Sequence, residues 1–133
     1  MPVIISITLG GGIGAVARYS VSQLVDVLFG SSFPVATIIV NILGAFLIGF
    51  FFQWFEDRVI PETIRSFVTI GFLGAFTTFS SFTLETLKLL QESNITAGMV
   101  NIFINNFFSL FAVLAGFFCW KLLFKKSITA KRS

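Results

Sequence analysis

The chain has 133 residues, of which 56% are hydrophobic and only 11% charged. A soluble domain of this size must cover a large surface with polar groups, and this composition does not supply them. The net charge of +3 comes with no histidine and one cysteine, Cys119, which excludes histidine catalysis, histidine metal sites, imidazole proton relays and an intrachain disulfide.

Residues 1–17, 27–55, 66–84 and 93–120 contain no Asp, Glu, Lys or Arg. A helix crossing the hydrocarbon core needs about 20 mostly apolar residues. Four such runs predict an all-α membrane protein. The four transmembrane helices fall at about 3–25, 33–55, 64–90 and 96–124, in one domain over 1–125, with a basic tail at 126–133. No Lys or Arg precedes Arg18, so the first run lacks the basic leader of a cleaved signal peptide and is expected to remain as a span.

Span one contains GGGIGAVARY, with Gly10 and Gly14 in a GxxxG pair. These glycines, and Gly44 in span two, permit close helix approach within one chain or between two. Arg18 either raises the local anion concentration in a vestibule or snorkels from the helix end. Span two opens near Pro34, which suits the first helical turn. Its core holds one strongly polar side chain, Asn41, whose amide can donate two hydrogen bonds. Interhelical glue and pore donor fit that chemistry equally.

Span three carries GFLGAFTTFSSFTLE, Gly71–Glu85, with the hydroxyls of Thr77, Thr78, Ser80, Ser81 and Thr83 in seven positions. Gly and Thr lower helix propensity, and threonine hydroxyls compete for backbone carbonyls. A break near 74–78 is therefore expected, with a straight, self-satisfied helix as the alternative. Non-helical backbone survives at membrane depth only where it is buried in protein or lines a cavity. Freed carbonyls there suit a small cation.

Phe79 and Phe82 share a helical face at i, i+3. Ring edges are electropositive. Rings presented edge-on beside hydroxyl and amide donors allow an anion path with no full positive charge at its narrow point. Ordinary packing is the plainer alternative in a chain with 19 phenylalanines. Glu85 lies further along, placed to pair with a cation or a polar neighbour. In span four, Asn105 and Ser109 share a face at i, i+4. Four spans make too thin a bundle to enclose a polar path and shield its outside, so an oligomer is expected.

Arg58, Arg65 and five cations near the C-terminus (Lys121, Lys125, Lys126, Lys131, Arg132) fall on one side, seven in all, against Arg18 and Lys88 on the other. This predicts a cytoplasmic C-terminus. Without the five, the count is two against two. No basic face exists elsewhere, so nucleic acid is not an expected partner; membrane lipid is.

The chain resembles the small bacterial fluoride channels of the Fluc or CrcB family. The resemblance rests on GGIGAVARY at Gly11–Tyr19, Pro34 and Thr37 followed by VNILGAFLIG at Val40–Gly49, the span-three motif at Gly71–Glu85, and Asn105 with Ser109. It covers all four spans, and the third motif is its most specific part. It implies passive, fluoride-selective export down the gradient from the cytoplasm of a bacterial cell, giving fluoride resistance. It also implies an antiparallel, dual-topology homodimer in the inner membrane with two pores, although some members pair two non-identical chains.

On this resemblance Asn41, Phe79, Phe82, Ser80, Ser81, Asn105 and Ser109 line the fluoride path, while Arg18 and Glu85 sit at the vestibule and pore mouth. Carbonyls of Gly74 and Thr77 hold a structural sodium ion at the dimer centre. Ala75 stands where Gly is frequent, and Asn105 where Tyr is often found. Two other functions compete. A small proton-coupled multidrug exporter needs a membrane-embedded acid, and only Glu85 is available. A non-transporting scaffold predicts that the polar cluster tolerates apolar replacement. An enzyme has no nucleophile–base constellation to work with.

Overall fold

The computed structural model describes residues 2–30 and 33–130, with side chains through residue 124. It is all-helical over those residues: α1 (Pro2–Phe29), α2 (Val35–Asp57), α3 (Glu62–Ser66), a π-helical stretch (Phe67–Leu73), α4 (Gly74–Phe76), α5 (Phe79–Gln91) and α6 (Ile95–Ala130). Four helical runs are long and apolar enough to cross a membrane: Pro2–Phe29, Val35–Asp57, Glu62–Gln91 and Ile95–Phe124.

The helix ends follow local chemistry. α1 continues past the expected Val25 through Asp26 and the apolar Val27, Leu28 and Phe29. Gly30 closes it at φ 52°, a left-handed conformation that suits glycine, with its N–H on the Asp26 carbonyl at 2.9 Å. Pro34 takes the capping position one residue before α2, not the first turn, and its carbonyl accepts from Ile38 N–H at 3.3 Å. Between α5 and α6 the chain turns through Ser93 at φ 59°. Asn94 Oδ1 then caps α6 by accepting from Ala97 N–H at 3.2 Å. α6 runs on to Ala130 through the first part of the expected tail, whose Lys131–Ser133 lie outside the described residues.

Two backbone-to-backbone contacts set the bundle. α2 lies along α6, and α1 lies on the π-helical stretch. At the first, a methyl group on Gly49 would strike the Val113 carbonyl, and one on Gly116 the Phe46 carbonyl. At the second, Gly10 and Gly14 face the carbonyls of Phe67 and Phe72, while a Cβ on Gly71 would sit 2.7 Å from the Ile7 carbonyl. The GxxxG pair of span one is therefore spent inside the chain.

One end of the bundle is aromatic. Trp120 stacks on Trp54, and its Nε1–H donates to Asp57 Oδ2 at 2.6 Å. Arg65 donates to the Phe55 carbonyl at 2.6 Å. Such clusters suit the headgroup level. The core is small: Val40, Phe55, Leu73, Phe76, Phe82 and Trp120 are buried, whereas Val16, Val27 and Leu122 face outward, as a surface meeting lipid does.

Candidate functional site

The site begins at two residues of extended backbone. Thr77 (φ −81°, ψ 156°) and Thr78 (φ −149°, ψ 117°) separate α4 from α5 in the middle of the third span. In a continuous α-helix Thr78 N–H would serve the Gly74 carbonyl. Here it donates to Asn41 Oδ1 at 2.8 Å, and Asn41 Nδ2 donates back to the Thr78 carbonyl at 3.1 Å. One amide thus pairs both backbone groups of Thr78, as a neighbouring strand would, which removes the cost of leaving them bare at this depth. Thr78 then caps α5, its Oγ1 accepting from Ser81 N–H at 3.2 Å. On the other side of the chain, Arg18 Nε donates to the Ala75 carbonyl at 3.0 Å.

From Asn41 the polar contacts continue inward. Its Nδ2 also donates to Asn105 Oδ1 at 3.0 Å. Asn105 Nδ2 donates to Asn101 Oδ1 at 2.7 Å, Asn101 Nδ2 to Thr86 Oγ1 at 2.9 Å, and the Thr86 hydroxyl to the Phe82 carbonyl at 2.8 Å. Asn101 is 0% exposed and Asn105 4%.

These residues border an open groove of about 400 Å³ between α2, α6 and the third span. Asn41, Asn105, Ser109, Phe79, Phe82, Gly74 and Thr77 all line it, and among the described residues no charged side chain does. The rings of Phe79 and Phe82 lie 5.4 Å apart at 53°, with Phe82 buried and Phe79 73% exposed. Ser109 Oγ is buried without a hydrogen-bond partner. The N-terminal turn of α5, with the positive end of its dipole, meets the groove at Phe79.

A second cavity, of about 300 Å³, lies beyond Thr78. It is lined by Arg18, Glu85, Ser81, Asp26 and Lys88 among others. Glu85 Oε1 accepts from Thr37 Oγ1 at 2.8 Å, leaving Oε2 without a partner. Thr78 lines both cavities. The structure therefore brings seven of the eleven expected site residues to one groove and places Arg18, Glu85 and Ser81 in the adjoining cavity; Ser80 lines neither and lies 3.3 Å from Thr78 Oγ1.

Sequence reasoning missed Asn101 and Thr86. The spacing of Asn101, Asn105 and Ser109 at four-residue intervals carried a signal, since it draws one polar stripe down span four. Nothing in the sequence pointed to Thr86.

Fold and site together define a multi-pass membrane protein with an uncharged groove in which a few amide and hydroxyl groups sit among apolar side chains. The chain belongs to the CrcB-like family: the family model described as "CrcB-like protein, Camphor Resistance (CrcB)" matches residues 5–117. Among its relatives is a protein of Shewanella halifaxensis named "Fluoride-specific ion channel FluC". It is 42% identical, over 85% of this chain and 91% of that one. Proteins of the same name from Magnetococcus marinus and Campylobacter jejuni are 47% and 42% identical, over 71% and 84% of this chain and 78% and 92% of theirs. The protein is accordingly a multi-pass protein of the bacterial membrane.

Proposed function

We propose that this protein is a passive fluoride channel that lets the anion leave the cytoplasm down its gradient. The observation that carries the reading is the match to proteins named fluoride-specific ion channels over most of the chain. The groove supports it physically. A small anion of dense charge gives up water only where donors replace it. Ser109 offers a hydroxyl without a protein partner. Asn105 offers the second hydrogen of its amide, Phe79 and Phe82 offer ring edges, and α5 offers its positive end. None of these carries a full charge that would trap the ion. In the adjoining cavity Arg18 and Lys88 set positive charge against Asp26, Glu85 and Glu92, and Arg18 is the cation there that this reading assigns to the anion's path.

The functional unit in this reading is an antiparallel homodimer with the third span broken at Thr77–Thr78. The exposed Phe79 and Gly74 lie on the open side with the groove, where the amide and hydroxyl groups among its apolar lining would be costly to leave facing lipid. A second copy covers them and completes each path. A sodium ion fits the break: the Gly74 carbonyl has lost its helical donor, Thr77 lines the same groove, and carbonyl oxygens suit a hard cation. Gly74 and Thr77 of each copy would hold it, and the ion would tie the two breaks together.

Expressed in bacteria without their own fluoride exporter, the chain is expected to restore growth in fluoride. No gain in resistance with the protein present in the membrane would count against the proposal.

A further inference from the structure

Asn41, Asn105 and Thr78 meet the groove, but the hydrogen bonds that orient them run on through Asn101 and Thr86, which do not, before ending on the Phe82 carbonyl. Read from the break inward, each residue passes one donor on to the next, while the second hydrogen of Asn41 turns back to the Thr78 carbonyl. Thr78 N–H gives to Asn41, Asn41 to Asn105, Asn105 to Asn101, Asn101 to Thr86, and the Thr86 hydroxyl to the Phe82 carbonyl. An amide flipped at any point would set N–H against N–H or C=O against C=O along the row. Both hydrogens of Asn41 Nδ2 are already committed, to the Thr78 carbonyl and to Asn105. Asn41 therefore has no donor left for an anion, while Asn105 keeps one. Which way Asn105 turns that hydrogen depends on Asn101, because Asn101 Oδ1 takes the other at 2.7 Å.

We infer that Asn101 is a positioning residue for fluoride. Fully buried and outside the groove lining, it fixes the amide of Asn105 and, through it, that of Asn41. The groove donors and the break at Thr78 are thereby set together. Thr86 anchors the row to the backbone of Phe82, so the ring is held in the same register as the amides. Aligned hydrogen bonds in a low-dielectric interior polarise one another, which strengthens the row. The inference rests on the proposed fluoride conduction.

The test measures initial fluoride efflux from proteoliposomes against internal fluoride concentration, at equal protein, for the unmodified chain, Asn101→Leu and Thr86→Val. Both substitutions keep the shape and remove the hydrogen bonds. The expected result is a half-saturating fluoride concentration raised about threefold to tenfold in Asn101→Leu, the weight of one hydrogen bond, with a smaller rise in Thr86→Val. A variant that merely folds less well has fewer working channels, so its maximum rate falls while half-saturation stays put. That result, or unchanged curves in both variants, overturns the inference. If Asn101→Leu does not fold, Thr86→Val decides by the same criterion. Absence of efflux from the unmodified chain would overturn the fluoride reading itself, and this inference with it.

Discussion

Asn41 is the residue on which the site turns. Its single amide meets Thr78 N–H, the Thr78 carbonyl and Asn105 at 2.8–3.1 Å. Removing it in Asn41→Ala strands both backbone groups at membrane depth, at roughly 1–3 kcal/mol for each unsatisfied group. The expected outcome is a lower melting temperature in detergent together with lost fluoride flux; flux at the unmodified level would show that the bracket around Thr78 is dispensable. Phe79 separates chemistry from stability better, because its ring is largely exposed in the single chain. Phe79→Met keeps apolar bulk but deletes the electropositive edge. Efflux should fall about tenfold or more, on the order of the 1.4 kcal/mol that corresponds to a factor of ten, with little change in melting temperature. Sequence chemistry left glue and donor roles open for Asn41, and in the single chain both hydrogens of its amide are engaged, by the Thr78 carbonyl and by Asn105. That outcome was not legible in the sequence, where hydrogen-bond partners in the third and fourth spans are invisible.

At the scale of elements, the four spans and the polar stretch of the third were legible because hydrophobic run length and Gly–Thr chemistry are local properties. The π-helical stretch Phe67–Leu73 was not. A widened turn of helix there carries Gly71 against α1, and that contact is fixed by tertiary packing, with nothing local to announce it. The glycines of the α2–α6 seam make an equally specific prediction. A side chain at Gly49 enters the Val113 backbone, which cannot swing aside as a flexible side chain can. Gly49→Val is expected to cost about 1–3 kcal/mol or more through overpacking. A melting temperature equal to that of the unmodified protein would mean that α2 and α6 do not approach this closely. For the proposed sodium ion, exchanging external and internal sodium for a bulky organic cation should slow efflux. Equal rates in both media would remove sodium from the proposal.

At the scale of the whole molecule, charge and function pull in different directions. Seven cations on one side against two on the other favour a single insertion. A symmetric antiparallel pair needs both orientations. Without the five cations near the C-terminus the count is two against two, so the rest of the chain is neutral to orientation and is compatible with the open groove meeting its own copy. The aromatic end around Trp54, Trp120 and Asp57 suits a headgroup level, and in the proposed antiparallel pair each leaflet would hold one such cluster. The central claim, that this one chain by itself passes fluoride through an uncharged groove, is tested most directly by purifying it alone. It would be reconstituted in liposomes loaded with equal fluoride and chloride, and the release of each ion followed with an ion-selective electrode once a cation ionophore relieves the charge build-up. Rapid fluoride release with chloride retained is the predicted result; no fluoride release beyond that of empty liposomes would contradict it.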